Sequence, residues 1–120
     1  MERKNEILDL SFEFALEIIE YSELLESNRK YVIARQLLKS GTSIGANIRE
    51  AQSSESRADF IHKLKIAHKE AIETDYWLLL CERAKNYPPP PIGTKSMLLS
   101  IQKLLSNPES FRESSTKSNK

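Results

Sequence analysis

The sequence is poor in the residues that interrupt helices or crosslink loops. Its 120 residues include three glycines and five prolines, and four of those prolines form one run at 88–91. The single cysteine, Cys81, excludes an internal disulfide framework and is typical of a reducing compartment. No apolar run approaches the roughly 18 residues that a membrane helix requires, and the charged N-terminal stretch lacks the apolar segment of a signal peptide. We therefore expect a soluble, cytoplasmic, mainly helical protein with one folded domain and no membrane partner.

The net charge of +1 conceals an uneven distribution of charge along the chain. Residues 1–28 have a net charge of −6, residues 29–69 a net charge of +6, and residues 70–120 a net charge of +1. Either neighbouring helices or subunits neutralise one another, or a basic face is presented to a polyanion. The two interpretations are compatible with each other.

Apolar residues recur at helical spacing in four segments of the chain. The first segment carries two adjacent apolar tracks, one containing Phe14 and Ile18 and the other containing Phe12 and Ile19. Two tracks are expected of a helix that faces more than one neighbour. The spacing predicts four helices, at about 4–26, 29–53, 57–86 and 94–106.

Other local patterns indicate where these helices begin and end. Ser56 followed by Asp59 approximates a capping box at the start of the third helix. The proline run after Tyr87 stops that helix, because proline lacks the amide donor and disfavours helix before itself. Residues 107–120 form a polar segment that we predict to be a disordered tail.

The stretch SGTSIGANIREA, at 40–51, holds two of the three glycines and looks like a loop. Its apolar positions keep the heptad phase of the preceding residues, which places Gly41 and Gly45 inside the second helix. Each glycine costs that helix about 1 kcal/mol relative to alanine. We interpret both as points of close approach to another helix, where leucine would overpack. Asn47, beside this seam, is predicted to fix register by a hydrogen bond across helices.

Four amphipathic helices with short connections predict an all-α fold. The architecture that fits best is an antiparallel up-down-up-down four-helix bundle over residues 1–106. The alternative is an open helical hairpin that closes only on self-association. The two-sided apolar faces of the second and third helices favour a homo-oligomer.

The patterns of catalytic and metal sites are missing from the sequence. A phosphate-binding P-loop needs Gly-x-x-x-x-Gly-Lys-Ser/Thr, and here Lys39 precedes the glycines. His62 and His68 lie six residues apart, about 240° around a helix, so they do not converge on one metal ion. Cys81 falls on the apolar seam of its helix, where a buried, inert thiol is expected. We therefore predict a protein that is not an enzyme and that uses no metal or cofactor.

Basic residues on the second and third helices form the candidate binding site. Lysines and arginines along a rigid helix can follow phosphates, which gives salt-dependent and largely sequence-independent binding of RNA or DNA. The alternative is a protein-interaction scaffold whose charges serve subunit contacts and that binds no nucleic acid. The predicted nucleic-acid site consists of Arg35, Lys39, Arg49, Lys65 and Lys69.

Two neighbouring stretches of the chain together resemble a known family. LLKSGTSIGANIREAQ, at 37–52, is followed by ESRADFIHKLKIAHKEAIETDYWL, at 55–78. The pair resembles the bacterial four helix bundle protein family, which includes proteins encoded in intervening sequences of 23S rRNA genes. It is similar, more distantly, to the accessory variability proteins of diversity-generating retroelements. The resemblance implies a four-helix bundle protomer in a ring-like homopentamer, association with nucleic acid, and, through the retroelement relatives alone, a reverse transcriptase as partner.

Overall fold

The computed structural model describes residues 5–111, and within that range it contains four α-helices and no strand. A 3₁₀ turn at Pro108–Ser110 follows the last α-helix. The predicted segments agree with the observed bounds to within three residues at each end. The four helices are α1 (Glu6–Ser27), α2 (Tyr31–Ala51), α3 (Arg57–Arg83) and α4 (Thr94–Leu105).

Side-chain caps fix the start of two of these helices. The Asn5 Oδ1 accepts a hydrogen bond from the Leu8 N–H at 3.3 Å at the start of α1. The Ser56 Oγ accepts from the Asp59 N–H at 3.0 Å, so the predicted cap of α3 is confirmed. Such caps satisfy amide groups that lack a partner within the helix.

Changes in backbone conformation make α2 and α3 shorter than predicted. Arg29 has φ 66° and Asn86 has φ 67°, both in the left-handed region that a right-handed helix does not use. Because Arg29 turns the chain, α2 begins at Tyr31 and not at 29. The end of α3 at Arg83 has a different origin, since Ala84 is already extended, with ψ 140°, two residues before Asn86.

Each helix packs against two others, in the cyclic order α1, α2, α3, α4. Along the α1–α2 and α2–α3 pairs, residue numbers rise on one helix as they fall on the other. This order is seen in the neighbouring pairs Ser11–Gly45, Ile18–Gly41, Ser40–Thr74 and Glu50–Lys63.

The buried core coincides with the predicted heptad positions on α2 and α3. Apolar seams of this kind are expected to face the interior of a helical bundle. The seam of α2 is buried at Ala34, Leu37, Gly41, Ile44, Ile48 and Ala51. The seam of α3 is buried at Phe60, Leu64, Ala67, Ala71, Thr74, Leu78 and Cys81.

The two apolar tracks of α1 differ in burial. Phe14 and Ile18 of the first track lie in the core, whereas Phe12 and Ile19 of the second track are exposed. No helix among residues 5–111 covers this second track. The prediction that α1 faces more than one neighbour is met by α2 and α4, while Phe12 and Ile19 lie outside both contacts.

The prediction of a disordered tail from residue 107 is wrong for its first five residues. Pro108 is buried, and Phe111 packs against the core. The Arg57 guanidinium donates to the Glu109 carbonyl oxygen at 2.8 Å, which ties this segment to the start of α3. Folded structure thus extends past residue 106, and the remainder of the predicted tail, 112–120, lies outside the described residues.

Candidate nucleic-acid interface

Three cations project from α2 into solvent. Arg35, Lys39 and Arg49 are exposed, and within residues 5–111 none of their side chains forms an ion pair or hydrogen bond. The interval from Arg35 to Arg49 corresponds to about 21 Å along a helix axis. Arg35, Lys39 and Arg49 therefore form a row of positive charges along the helix, which we call the α2 row.

Carboxylates border the α2 row on the side of α3. The pKa of Glu70 is raised, mainly by its partial burial and next by the neighbouring charge of Glu73, while the ammonium of Lys39 acts in the opposite direction. Lys39 therefore lies within electrostatic reach of a carboxyl group on α3. The α2 row is not continuous with basic residues across the groove between these helices.

Lys65 and Lys69, also exposed, lie on a different surface from the α2 row. The side of α3 that faces α2 is marked by Lys63, whose Nζ lies 3.0 Å from the Glu50 carboxylate. Lys65 follows two residues later, about 200° around the helix. The five predicted residues thus form two separate sets, and the structure does not bring them onto one face.

Direct ion pairs do not neutralise the acidic first helix within the described part of the chain. The two pairs seen there are Lys63–Glu50, between α3 and α2, and Lys95–Glu82, between α4 and α3. Neither involves α1. Within residues 5–111 the α1 carboxylates thus form no ion pair, and that of Glu17 accepts a hydrogen bond from the Thr94 hydroxyl at 2.8 Å.

The two glycines of α2 both face α1, at unequal distances. A Cβ added at Gly41 would lie 2.8 Å from the Ile18 Cγ2, which is closer than such atoms approach each other. A Cβ added at Gly45 would lie 3.3 Å from the Ser11 Oγ, a tight contact with a small group. Of the two glycines, Gly41 therefore packs more closely against α1.

Asn47 bonds differently from the prediction. Its Nδ2 donates to the Ser43 carbonyl oxygen at 2.9 Å, one turn earlier in the same helix. Within residues 5–111 it makes no hydrogen bond across helices. The buried side-chain hydrogen bond between α2 and α3 is instead the one that the Thr74 hydroxyl donates to the Ser40 hydroxyl at 2.9 Å. This pair defines the register of the two helices.

The described residues offer no built chemical site. Among residues 5–111, no group of three or more His, Cys, Asp or Glu side chains is placed to hold a metal ion. Cys81 is buried, and this burial raises the pKa of its thiol, the opposite of what activates a cysteine nucleophile. No helix in the described range is long and apolar enough to cross a membrane.

Two open depressions of different size lie on the surface of the described residues. A groove of about 130 Å³ between α1 and α2 is lined by Phe12, Ala15, Thr42, Gly45 and Arg49, among others. A wider cleft of about 1000 Å³ at the α2–α3 turn mixes cations with carboxylates, among them Arg49, Lys63, Glu50 and Asp59. Enclosed, mainly apolar pockets are typical of small-molecule sites, and neither depression has that form.

Sequence reasoning did not predict which apolar residues outside the core are exposed. Phe12, Leu16 and Ile19 on α1 and Ile72 and Tyr76 on α3 are all large and exposed. The second track of α1 was visible as a helical period, but periodicity does not say whether the neighbour belongs to the same chain. The residues on α3 gave no periodic signal, because basic residues share their face.

Comparison with known protein families identifies the family of this helical chain. The sequence profile of the 23S rRNA-intervening sequence protein family matches residues 3–107, well over half of the chain. The chain belongs to this family. The resemblance found from the two stretches at 37–52 and 55–78 is thereby confirmed.

A solved structure is similar to this 23S rRNA-intervening sequence protein over most of its length. It comes from Bacteroides thetaiotaomicron VPI-5482 and is described as a protein with unknown function from the S23 ribosomal protein family. The two chains are 44% identical, the match covers 88% of this chain and 99% of the other, and the TM-score is 0.77. No curated protein matches the chain. Neither description names an enzymatic activity.

Proposed function

We propose that this 23S rRNA-intervening sequence protein is a non-enzymatic, homo-oligomeric helical protein that binds RNA or DNA through the α2 row. The observation that carries the proposal is the set of three exposed cations, Arg35, Lys39 and Arg49, on one helix, none of which forms an ion pair within residues 5–111. The membership of a family named after an rRNA insertion is in keeping with such a role.

The spacing of the α2 row suits a phosphate backbone. Arg35 and Lys39, four residues apart, lie about 6 Å apart along the helix axis, and Arg49 lies about 15 Å beyond Lys39. Each strand of a DNA duplex offers a phosphate about every 3.4 Å of its axis, so a cation on α2 can contact a phosphate wherever the backbone passes beside the helix. Contacts of this kind position a backbone without reading its bases. Binding should therefore be salt-dependent and tolerant of sequence.

The protomer in this proposal is an antiparallel up-down-up-down bundle. The reversed order of neighbouring residues along α1–α2 and α2–α3 supports it, as does the three-residue connection at 28–30. A ring-like homopentamer is the assembly that the family resemblance implies. The exposed apolar residues of α1 and α3 support an oligomer of some kind.

A protein-interaction scaffold without nucleic acid is the second candidate. It is favoured by the carboxylates of α1, which form no ion pair within residues 5–111. In that case the exposed cations would contact acidic residues of another subunit. Substitutions in the α2 row would then change the mass of the assembly, and the wild-type protein would not bind nucleic acid.

Charge reversal in the α2 row separates the two candidates. We expect Arg35→Glu/Lys39→Glu to weaken binding of labelled RNA or DNA roughly tenfold or more in fluorescence anisotropy at about 50 mM salt. Lys103→Glu is the matched control, because Lys103 is an exposed lysine on α4 outside the proposed site. Light scattering on the same proteins should give an unchanged mass.

Two results would overturn the proposal. One is that the wild-type protein fails to bind both RNA and DNA at about 50 mM salt, where phosphate contacts are strongest. The other is a double variant with normal affinity, or one whose assembly changes mass instead. The latter result would support the scaffold.

A further inference from the structure

The first of two exposed apolar faces lies on α1. Phe12, Leu16 and Ile19, spaced four and three residues apart, share one side of the helix and form what we name the α1 stripe. Phe12 is 51% exposed, a large fraction for a phenylalanine. The acidic side chains near this stripe, all exposed, are Asp9, Glu13, Glu20 and Glu23.

The second exposed apolar face lies on α3 and carries the opposite charge. Ile72 and Tyr76 are each 55% exposed and lie on the side of α3 away from the core; together they form the α3 stripe. Lys65 and Lys69 precede them along the helix, and Arg83 follows. Each of these cations is exposed, and none has an ion-pair partner in the described range.

The two stripes match in length and in arrangement. The acidic set from Asp9 to Glu23 extends over about 21 Å of helix, and the basic set from Lys65 to Arg83 over about 27 Å. On α1 the exposed carboxylates lie beside and beyond the apolar side chains, and on α3 the cations Lys65, Lys69 and Arg83 lie beyond an apolar centre that also has the exposed Glu73 beside it. Such a pair can bury its apolar centre while opposite charges meet at its rim, the usual anatomy of a protein interface.

The stripes cannot meet inside one chain. In the cyclic order of the bundle, α1 packs on α2 and α4, and α3 packs on the same two helices from the other side. The α3 stripe also faces away from the core. A partner for each stripe must therefore come from another molecule, and this chain itself presents the complement of both.

We infer that the α1 stripe of one copy packs against the α3 stripe of a second copy. The inference rests on the homo-oligomer of the proposed function and assigns its contact surfaces. Lys65 and Lys69 serve the neighbouring subunit, and the α2 row is left for nucleic acid. Because two different faces meet, the contact is head-to-tail, and it generates a closed ring or an open filament according to its rotation angle.

A nucleic acid fits the α3 stripe less well than a second copy does. Ile72 is one of the two members of the stripe, and an exposed aliphatic side chain has no counterpart among phosphates. Phosphates would also leave the α1 stripe uncovered, since its flanking carboxylates repel a polyanion. One copy of the same chain accounts for both faces.

Single substitutions in each stripe test the contact. We expect Leu16→Lys, in the α1 stripe, and Ile72→Asp, in the α3 stripe, each to reduce the wild-type oligomer to monomer in size-exclusion chromatography with light scattering. Leu99→Lys on α4 is the matched control, because Leu99 is 52% exposed and lies in neither stripe. It should keep the wild-type mass. Circular dichroism checks that each variant keeps its helices.

Mixing the two defective variants gives the sharper result. The Ile72→Asp protein retains an intact α1 stripe, and the Leu16→Lys protein retains an intact α3 stripe. An equimolar mixture should therefore form a one-to-one heterodimer that grows no further, because the remaining two faces are both blocked. A contact between identical faces gives no such rescue.

Charge-reversed variants provide a second test if Leu16→Lys or Ile72→Asp loses its helices. Glu13→Lys/Glu20→Lys and Lys65→Glu/Lys69→Glu, all at exposed positions, should each lower the oligomer mass. Combining all four changes in one chain should restore the mass, because the charges are then exchanged between the two faces.

Several outcomes would overturn the inference. They are a monomeric wild type, variants of both stripes that keep the wild-type mass, a mixture that stays monomeric, and an Ile72→Asp protein that loses only nucleic-acid affinity. All but the last are read without nucleic acid. Failure here is therefore distinct from failure of the α2 row to bind, which is read by anisotropy on the α2 variants.

Discussion

At the scale of single residues, the heptad phase of α2 predicted that Gly41 and Gly45 lie inside the helix. It could not show which of the two packs more tightly against α1. This depends on which residue of α1 lies opposite. Ile18 fills the space beside Gly41, whereas the smaller Ser11 lies beside Gly45. The sequence of α2 alone does not show whether the side chain opposite a glycine is a branched isoleucine or a small serine.

Gly41→Ala should destabilise the protein although alanine favours a helix. The new methyl group would lie 2.8 Å from the Ile18 Cγ2. Overpacking typically costs about 1–3 kcal/mol, and the gain in helix propensity offsets about 1 kcal/mol of that. We expect a net loss of about 1–2 kcal/mol in the free energy of unfolding in urea, against a change near zero for Gly45→Ala.

A second background isolates the cause of this loss. Ile18→Ala removes both γ-carbons that the new methyl would meet, so Gly41→Ala in that background should be neutral or stabilising by up to about 1 kcal/mol. Equal destabilisation by Gly41→Ala in both backgrounds would mean that the close contact with Ile18 is not responsible.

Tyr21 gives the fold a predicted loss of stability at high pH. It is buried, its hydroxyl donates to the Pro88 carbonyl oxygen at 2.7 Å, and burial raises its pKa above the ordinary value of 10.0. The folded protein thus holds this proton where the unfolded chain releases it, so the stabilisation is complete below pH 10.0 and declines above it. The buried Cys81 thiol, whose pKa is also raised, acts in the same direction from about pH 9.

Tyr21→Phe removes the contribution of the phenol. The difference in unfolding free energy between wild type and this variant should shrink by about 1.4 kcal/mol between about pH 9 and pH 11, as measured by denaturant titration. A difference that is constant across this range would show that Tyr21 ionises as freely in the folded protein as in the unfolded chain.

At the scale of the helices, periodicity located all four elements, and local turn chemistry decided their ends. Arg29 and Asn86 adopt positive φ although neither is glycine, so the composition of these turns gave little indication of where α2 begins or α3 ends. The polar composition after residue 106 likewise concealed the packing of Pro108 and Phe111, because two apolar residues in a polar segment form no period.

The cap at Ser56 was predictable, because its signal is local. Ser56→Ala should lower the free energy of unfolding by about 1 kcal/mol, since the Asp59 N–H would lose its acceptor. Ser53→Ala is the control, because Ser53 is exposed and its side chain makes no hydrogen bond in the described chain. Thermal melts of the two variants that coincide would contradict a capping role for Ser56.

At the scale of the whole molecule, the sequence predicted the separation of charge but not its arrangement. The acidic α1 and the basic residues of α3 lie on helices that do not adjoin in the cyclic order, so they cannot neutralise each other within a protomer. Only the packing order reveals this, because a sequence pattern does not state which helices are diagonal. The division of the five basic residues into an α2 row and an α3 set has the same origin.

We propose different roles for the two surfaces. The α1 and α3 stripes combine apolar centres with opposite charges, which suits contact between copies. The α2 row consists of cations, with the exposed side chains of Tyr31, Val32 and Leu38 beside its N-terminal end; cations suit a hydrated phosphate backbone. In a head-to-tail assembly each subunit would repeat the α2 row, so several weak phosphate contacts could act together on one strand.

The salt dependence of nucleic-acid binding tests the central claim most directly. Affinity of the wild-type assembly for labelled RNA and DNA is measured between about 50 and 200 mM salt, beside Arg35→Gln/Lys39→Gln and the control Lys103→Gln. The logarithm of affinity should fall linearly with the logarithm of salt concentration, with a slope of about −0.7 to −0.9 for each phosphate contacted. The double variant should have a shallower slope and the control an unchanged one. A wild-type affinity that does not vary with salt, or a double variant with the wild-type slope, would contradict a nucleic-acid role for the α2 row.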